Sequence, residues 1–201
     1  MTKDMHFPWH QYALIVKLAE CLNHRPRLRA GSNSSYPQFG KTALQKLVYL
    51  LQAVYDVECD YDFSLYTYGP FTSELLQDLD LVESIGAVQV LPVRKGMDGY
   101  AIKPYENAAW VTTQAKEFLE AHKCALGKLI EEYGHYSAKE LEIRATMIYV
   151  EREMKGDGKP VSLDGLVRVV HDIKPYFPRD EIKSVAEELQ AKEHVKVAAD
   201  G

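Results

Sequence analysis

An apolar stripe over residues 41–55 sets the strongest limit on the fold. Its side chains recur at the i, i+3, i+4 and i+7 positions that share one face of an α-helix: Leu44, Leu47, Val48, Leu51, Val54 and Tyr55. Lys41 and Lys46 fall outside this stripe. The segment therefore predicts a helix whose apolar face is buried in the core of a folded domain.

Helical patterns recur along the rest of the chain. Apolar spacing predicts helices over residues 9–22, 72–86, 112–133, 137–154, 163–172 and 179–192. Ser137 and Glu140 have the spacing of a capping box, in which each side chain satisfies a backbone amide at the start of a helix. Gly86 suits the left-handed position that follows a helix. The helix over 137–154 is apolar on two faces, which is typical of a helix packed between layers.

Strand character is confined to three short segments. Residues 60–68 alternate in polarity and are rich in aromatic side chains, and Gly69-Pro70 is expected to end that strand. Residues 87–93 and 100–103 flank a turn sequence that ends in Asp98-Gly99, which is typical of a hairpin. Residues 25–40 hold two prolines, two glycines and three serines, and they predict a mobile surface loop.

The order of these elements predicts the architecture. Helix, helix, strand, helix, hairpin, helix is the order of a winged-helix domain with one added helix. We expect an α+β, mostly α fold: a winged-helix-like domain over 1–134, with a helical extension over 135–201 packed on the same core. With 201 residues, 46% of them hydrophobic, the chain can build a substantial core, which excludes a disordered protein.

The sequence shows no signal for export or membrane insertion. No apolar run approaches the ~20 residues that span a bilayer. The first residues, MTKDMH, lack the apolar stretch of a signal peptide. The three cysteines are far apart and have no metal or redox spacing: Cys21, Cys59 and Cys124. These features predict a cytoplasmic protein.

Charge is distributed unevenly. The net charge is −5, yet residues 47–93 contain eight acidic residues and no Lys or Arg. The outer face of the helix over 72–86 is rich in acidic and amide side chains: Glu74, Gln77, Asp78, Asp80 and Glu83. In a winged helix this element would enter the major groove, where carboxylates repel phosphates. We predict that this face binds a protein partner, for which a basic one is best suited. A solvated helix face is the alternative.

Basic residues elsewhere indicate an alternative function, that of a winged-helix DNA-binding transcriptional regulator that uses a basic loop and a wing. They are Arg25, Arg27, Arg29, Lys41, Lys46, Arg94 and Lys95. An ordinary solvated loop and turn is the competing interpretation. The basic loop and the acidic region also fit a homodimer, in which the two would pair across a two-fold axis.

The sequence shows no catalytic or metal-binding constellation. Four acids alternate over 56–62, but a calcium loop needs Gly where Tyr61 stands and Glu where Thr67 stands. Three other metal-binding side chains are too sparse for zinc: His122, Cys124 and His135. There is no Gly-Xaa-Ser-Xaa-Gly motif and no phosphate loop. We therefore predict a protein that is not an enzyme and that uses no metal and no cofactor.

Several segments also indicate a family. Residues 41–52 (KTALQKLVYLLQ), 66–71 (YTYGPF) and 74–80 (ELLQDLD) resemble the bacterial YwgA-like family, as do residues 140–149 (ELEIRATMIY) and 174–178 (KPYFP). They are more distantly similar to the Panacea, or SocA-like, antitoxin domain, which also has a "K-LQKLLY" helix followed by a "YGP" turn. The resemblance covers most of the chain from residue 41. It implies a helix-turn-helix-like regulatory or antitoxin-like module without a known catalytic residue.

Overall fold

A computed structural model describes residues 7–24, 38–93, 99–156 and 161–197. Helices make up most of these residues, and their strands form two separate antiparallel hairpins. The fold is α+β and mostly helical, as predicted. The predicted loop over 25–40 lies outside the described residues except for its last three. No helix in the described ranges is long and apolar enough to cross a bilayer.

The helices agree closely with the sequence pattern. They are α1 (Trp9–Asn23), α2 (Lys41–Tyr55), α3 (Ser73–Ser84), α4 (Ala108–Gln114), α5 (Lys116–Ala121), α6 (Lys123–Tyr133), α7 (Ala138–Gly156), α8 (Leu163–Ile173) and α9 (Arg179–Ala191). The strands are β1 (Ser64–Tyr66), β2 (Gly69–Phe71), β3 (Val88–Pro92) and β4 (Tyr100–Pro104). β3 and β4 form the predicted hairpin, and Gly86 has the expected positive φ of 73°.

The single helix predicted over 112–133 is wrong. The backbone leaves the helical region at Ala115 and again at His122, so the segment forms α4, α5 and α6. The two bends let α4 and α5 pack on α1 while α6 packs on α2. Apolar spacing does not detect such bends, because the buried residues keep nearly the same period on either side of each bend.

The strand predicted over 60–68 is shorter than expected, and Gly69-Pro70 does not end it. Instead, β1 turns at Thr67 and Tyr68, and Gly69-Pro70 begins β2, with Leu65 opposite Pro70. Gly69 has φ +87°, which a residue without a side chain adopts at little cost. Proline is tolerated here because β2 has a partner on one side only.

The helices α2 and α7 lie at the centre of the core. Residues 43–51 of α2 and 141–148 of α7 are all buried, and the two helices pack on each other and on β2. A single cluster of buried apolar side chains extends from Tyr12 to Val195. Residues before and after position 134 both contribute to this cluster.

Polar contacts in the first two turns of α7 also support the packing. Ser137 and Glu140 form the predicted capping box, with Ser137 N donating to Glu140 Oε2 at 2.7 Å and Glu140 N donating to Ser137 Oγ at 3.3 Å. The Arg144 guanidinium forms a 2.5 Å ion pair with Glu188 of α9. Burial raises the pKa of Glu188, but the hydrogen bonds from Arg144 and Lys192 outweigh it and lower that pKa to about 2. The last helix is therefore held on α7 by an ionised carboxylate.

Candidate functional site

Two neighbouring side chains of α2 hold the segment that leads from β2 into α3. Gln45 Nε2 donates to Thr72 O at 2.7 Å, and Gln45 Oε1 accepts from Thr72 N at 3.0 Å. Lys46 Nζ donates to Pro70 O at 2.7 Å. Gln45 and Lys46 are 3% and 2% exposed. Because buried polar groups require partners, these bonds fix the path of residues 70–72.

A second buried lysine reaches the same hairpin from the segment after α8. Lys174 Nζ donates to Thr67 O in the turn and forms an ion pair with Glu142 at 2.8 Å. The Tyr176 hydroxyl donates to the same oxygen of Glu142. Lys174 and Glu142 are both buried. We call Lys46, Glu142 and Lys174 the lysine–glutamate cluster.

The lysine–glutamate cluster contains two amines and one carboxylate. Burial is the main reason that the pKa of Lys46 falls to about 8; the charge of Glu142 opposes this fall and that of Lys174 adds to it. Burial and the hydrogen bond to Glu142 raise the pKa of Tyr176. The cluster therefore loses a positive charge at a pH only slightly above neutral, well below that of an exposed lysine.

The pH dependence of stability tests this charge imbalance. The folded-state pKa of Lys46, about 8, lies below its ordinary value of 10.5, so the unfolded chain binds more protons between these limits and stability rises with pH there. Below pH 8 the buried amine of Lys46 is protonated, and its charge lowers the free energy of unfolding by about 3 kcal/mol. Urea unfolding of the wild type and of Lys46→Met from pH 7 to 10 should show the wild type gaining roughly 2–3 kcal/mol relative to the variant. A pH-independent difference would mean that Lys46 titrates as an exposed lysine does.

The hairpin held by these residues presents two tyrosines to solvent. Tyr66 is 65% exposed and Tyr68 is 63% exposed, whereas Gly69 beside them is buried. A two-stranded hairpin with strands of three residues is at best marginally stable alone. Its conformation therefore depends on the lysine bonds to Thr67 and Pro70.

A groove of about 210 Å³ lies between α2 and this hairpin. Residues of α2 line one side: Lys41, Thr42, Gln45 and Lys46. Aromatic side chains of the hairpin line the other: Tyr66, Tyr68 and Phe71. None of the described residues that line the groove is acidic. Its surface thus combines amines with aromatic rings.

The acidic face predicted on α3 is only partly exposed. Three of its five side chains face solvent: Glu74, Gln77 and Asp80. Asp78 is half-buried and accepts a hydrogen bond from the Tyr61 hydroxyl at 2.7 Å. Glu83 accepts from Val90 N at 2.8 Å and so ties α3 to β3. The prediction that Asp78 and Glu83 belong to the free outer face is therefore wrong, because both carboxylates bond within the fold.

The basic surface proposed for DNA is mostly outside the described residues. Five of its seven side chains lie there: Arg25, Arg27, Arg29, Arg94 and Lys95. Lys41 lies at the groove, with its Nζ 4.8 Å from the centre of the Tyr100 ring. Lys46 was predicted to lie away from the buried side of α2, and this is wrong: the hairpin and α7 cover that side of the helix. Its amine contacts Pro70 instead of solvent.

The described ranges contain no metal-binding group of three or more His, Cys, Asp or Glu side chains. Along residues 56–62 the acids are exposed and alternate with three buried side chains: Val57, Cys59 and Tyr61. The acids therefore point outward rather than toward a common centre. Burial raises the pKa of the Cys59 thiol to about 12, so it is a poor nucleophile near neutral pH.

The sequence pattern does not predict most of the lysine–glutamate cluster. The helical position of Lys46 does give one indication of burial. Leu50 and Ala53 follow it at i+4 and i+7, so Lys46 lies on a face of α2 that has no other charged residue. Glu142 and Lys174 left no comparable signal. Their pairing depends on the packing of α7 against the segment after α8, which no local pattern shows.

Comparison with known proteins identifies no family for this chain. The sequence matches no protein-family model, and no curated protein is significantly similar to it.

Proposed function

We propose that this protein is a non-enzymatic, cytoplasmic regulatory module, antitoxin-like in kind, that acts by binding a basic protein partner. Its binding surface would comprise the exposed tyrosines of the β1–β2 hairpin, Tyr66 and Tyr68, and the exposed residues of α3. In this proposal α1 to α6 form a winged-helix-like domain over 1–134, and residues 135–201 form the helical extension that holds the hairpin from behind. The distant similarity of segments within residues 41–80 to the SocA-like antitoxin domain agrees with a role exerted through a protein.

The observation that supports this proposal most directly is that two tyrosines are exposed on a hairpin whose backbone is fixed by hydrogen bonds. Tyrosine is enriched at the centres of protein interfaces, where it contributes a large apolar area together with a hydroxyl. A surface that is already fixed loses little conformational entropy when it binds. The bonds from Lys46 and Lys174 to the hairpin backbone supply that fixation. Tyr66 and Tyr68 are therefore the residues that we propose to bind the partner.

Charge supports the choice of a basic partner. The region over 47–93 contains the hairpin and α3 and has no Lys or Arg. Glu74 and Asp80 are exposed on α3, and Asp60 and Asp62 are exposed before the hairpin. Such a surface attracts a basic protein and repels nucleic acid. The DNA-binding alternative rests on Lys41 and on the five basic residues outside the described ranges.

Matched variants test this proposal. The wild type should capture, by crosslinking in extracts of its own cells, a partner that Tyr66→Ala/Tyr68→Ala and Glu74→Lys/Asp80→Lys both fail to capture. The controls are Tyr105→Ala and Glu117→Lys, at exposed positions outside the proposed surface. With the purified partner, we expect each double substitution to weaken binding at least tenfold, roughly 1.4 kcal/mol or more.

Three outcomes would contradict the proposal. The first is a partner that binds the tyrosine and charge variants as tightly as the wild type. The second is a partner lost equally with the control variants. The third is salt-sensitive, micromolar binding of a generic DNA duplex that is lost on replacing Arg25, Arg27 and Arg29 by Ala, which would favour the DNA-binding alternative. A concentration-dependent dimer that uses the same surface would point to a second copy of the chain instead.

A further inference from the structure

We infer that the groove between α2 and the β1–β2 hairpin binds a small organic anion, a carboxylate or phosphate on a compact apolar or aromatic body, with Lys46 as its counter-charge. This inference goes beyond the proposed protein partner, because it concerns a small ligand held at Lys46. Tyr66 and Tyr68 line the groove and also belong to the proposed partner surface, but the buried Lys46 belongs to the groove alone.

The first step is that the positive charge of Lys46 is only partly compensated within the fold. An ammonium group has three donors, and the described residues show one hydrogen bond for Lys46 Nζ, to the neutral carbonyl of Pro70. Buried charges in proteins are normally paired. The buried carboxylate that acts on Lys46, Glu142, is hydrogen-bonded to Lys174 and Tyr176 instead. Within the described ranges, Lys46 therefore has no ion-pair partner of its own.

The second step is that the side chain of this buried lysine lines an open groove. Lys46 is 2% exposed, yet it forms part of the wall together with Lys41 at the rim. The first turn of α2, which includes Lys41 and Thr42, adds the partial positive charge of a helix N-terminus. With no acid among its lining residues, the groove favours an anion on electrostatic grounds.

The third step is the size and character of the groove. About 210 Å³ is below the range of pockets that take drug-sized ligands, so a ligand of one ring or a short chain fits best. Tyr66, Tyr68 and Phe71 supply aromatic walls against which an apolar body can pack. The ligand class is thus a compact acid with its anionic group toward Lys46.

A larger groove elsewhere provides a contrast. The groove of about 500 Å³ beside α1 and α6 is also lined by lysines, but two of these are paired: Lys17 with Glu20 at 3.1 Å, and Lys123 with Glu120 at 3.8 Å. Two of its three lysines are thus compensated within the fold, and the third, Lys116, is exposed to solvent. It therefore serves as the internal control for nonspecific anion binding.

The test is a titration of the full chain with acetate, benzoate and phenyl phosphate, and with benzamide as a neutral analogue of benzoate, followed by amide NMR shifts. We expect benzoate or phenyl phosphate to shift the amides of Tyr66, Tyr68 and Gly69, and benzamide to bind at least about tenfold more weakly than benzoate. Lys46→Met should weaken anion binding by roughly tenfold or more. The matched control Lys17→Met, in the larger groove, should leave it unchanged.

The pH dependence gives a second measurement that does not depend on a variant. The charged groups that act on Lys46 are Glu142 of α7 and Lys174 after α8, and Lys41, Tyr66 and Tyr68 line the same groove. Tyr176 bonds to Glu142. Because only the protonated amine attracts an anion, the affinity for benzoate should be constant from about pH 6 to 7 and should fall once Lys46 loses its proton, near pH 8. The neutral benzamide should show no such fall.

Four results would overturn the inference. They are the absence of hairpin shifts with all three anions, equal affinity for benzoate and benzamide, shifts centred on the larger groove, and a folded Lys46→Met variant that binds anions as the wild type does. If Lys46→Met does not fold, the comparison with benzamide and the pH dependence of the wild type decide the question.

Discussion

Replacing Glu142 by Gln should lower the free energy of unfolding by about 3–5 kcal/mol, a large share of the stability of a domain of this size. The substitution keeps the shape of the side chain but removes the one negative charge of the lysine–glutamate cluster. Lys174 would then be a buried cation paired only with neutral groups, and Lys46 would lose the charge that favours its protonation. Urea unfolding at pH 7, followed by circular dichroism, measures the loss.

Two further variants show whether charge or shape is responsible. Glu153→Gln, at an exposed position of the same helix, should change stability by less than about 0.5 kcal/mol. Glu142→Gln combined with Lys174→Met removes the unpaired cation and should recover at least half of the loss. A double variant as unstable as Glu142→Gln alone would show that the loss arises from packing and not from the uncompensated lysine.

Gly69→Ala should destabilise the fold by about 2–4 kcal/mol. Gly69 has φ +87°, and a Cβ there would lie 2.7 Å from Thr146 Oγ1 and 3.4 Å from both Glu142 O and Lys46 Cε. Backbone strain and overlap with the core therefore add together. Because the hairpin must shift to relieve them, we also expect Tyr66 and Tyr68 to move, which amide NMR shifts of the folded fraction would record.

Gly127→Ala is the matched control for this substitution. Gly127 is exposed within α6, and a Cβ there meets no atom within 4 Å. Alanine has the better helix propensity, so this variant should gain roughly 0.5–1 kcal/mol. Thermal unfolding of the two variants should thus give shifts of opposite sign. A loss of less than 1 kcal/mol for Gly69→Ala would mean that the turn relaxes without resistance from α7.

Local spacing in the sequence was enough to find most of the helices. The period of apolar residues in α2 and α7, the capping box at Ser137 and the left-handed Gly86 are all properties of a few neighbouring residues. The bends at Ala115 and His122 were missed because they change direction without changing which residues are apolar. The β1–β2 hairpin was missed because Gly69-Pro70 is an ordinary end for a strand, and its role as a strand start depends on what holds it.

The sequence predicts much less of the candidate site than of the fold. The helical pattern of α3 identifies its acidic residues. It does not include Tyr61 and Val90, which lie outside the helix and donate the hydrogen bonds that hold Asp78 and Glu83 against the fold. The helical pattern places Lys46 off the apolar stripe of α2, on a side of the helix where a lysine is usually exposed. Its burial results from contacts on the far side of α2, which depend on the whole fold.

The bond from Lys174 to Thr67 also has a consequence for the timing of synthesis. The two residues are 107 positions apart, so the turn gains this support only after nearly the whole chain has left the ribosome. Contacts of such long range form late and slow the folding of a domain. The tyrosines at the turn should therefore reach their final positions only once the segment after α8 has docked. A nascent chain that stops before Lys174 would have α2 and the hairpin sequence but not the finished surface, so binding through Tyr66 and Tyr68 would be restricted to the completed protein.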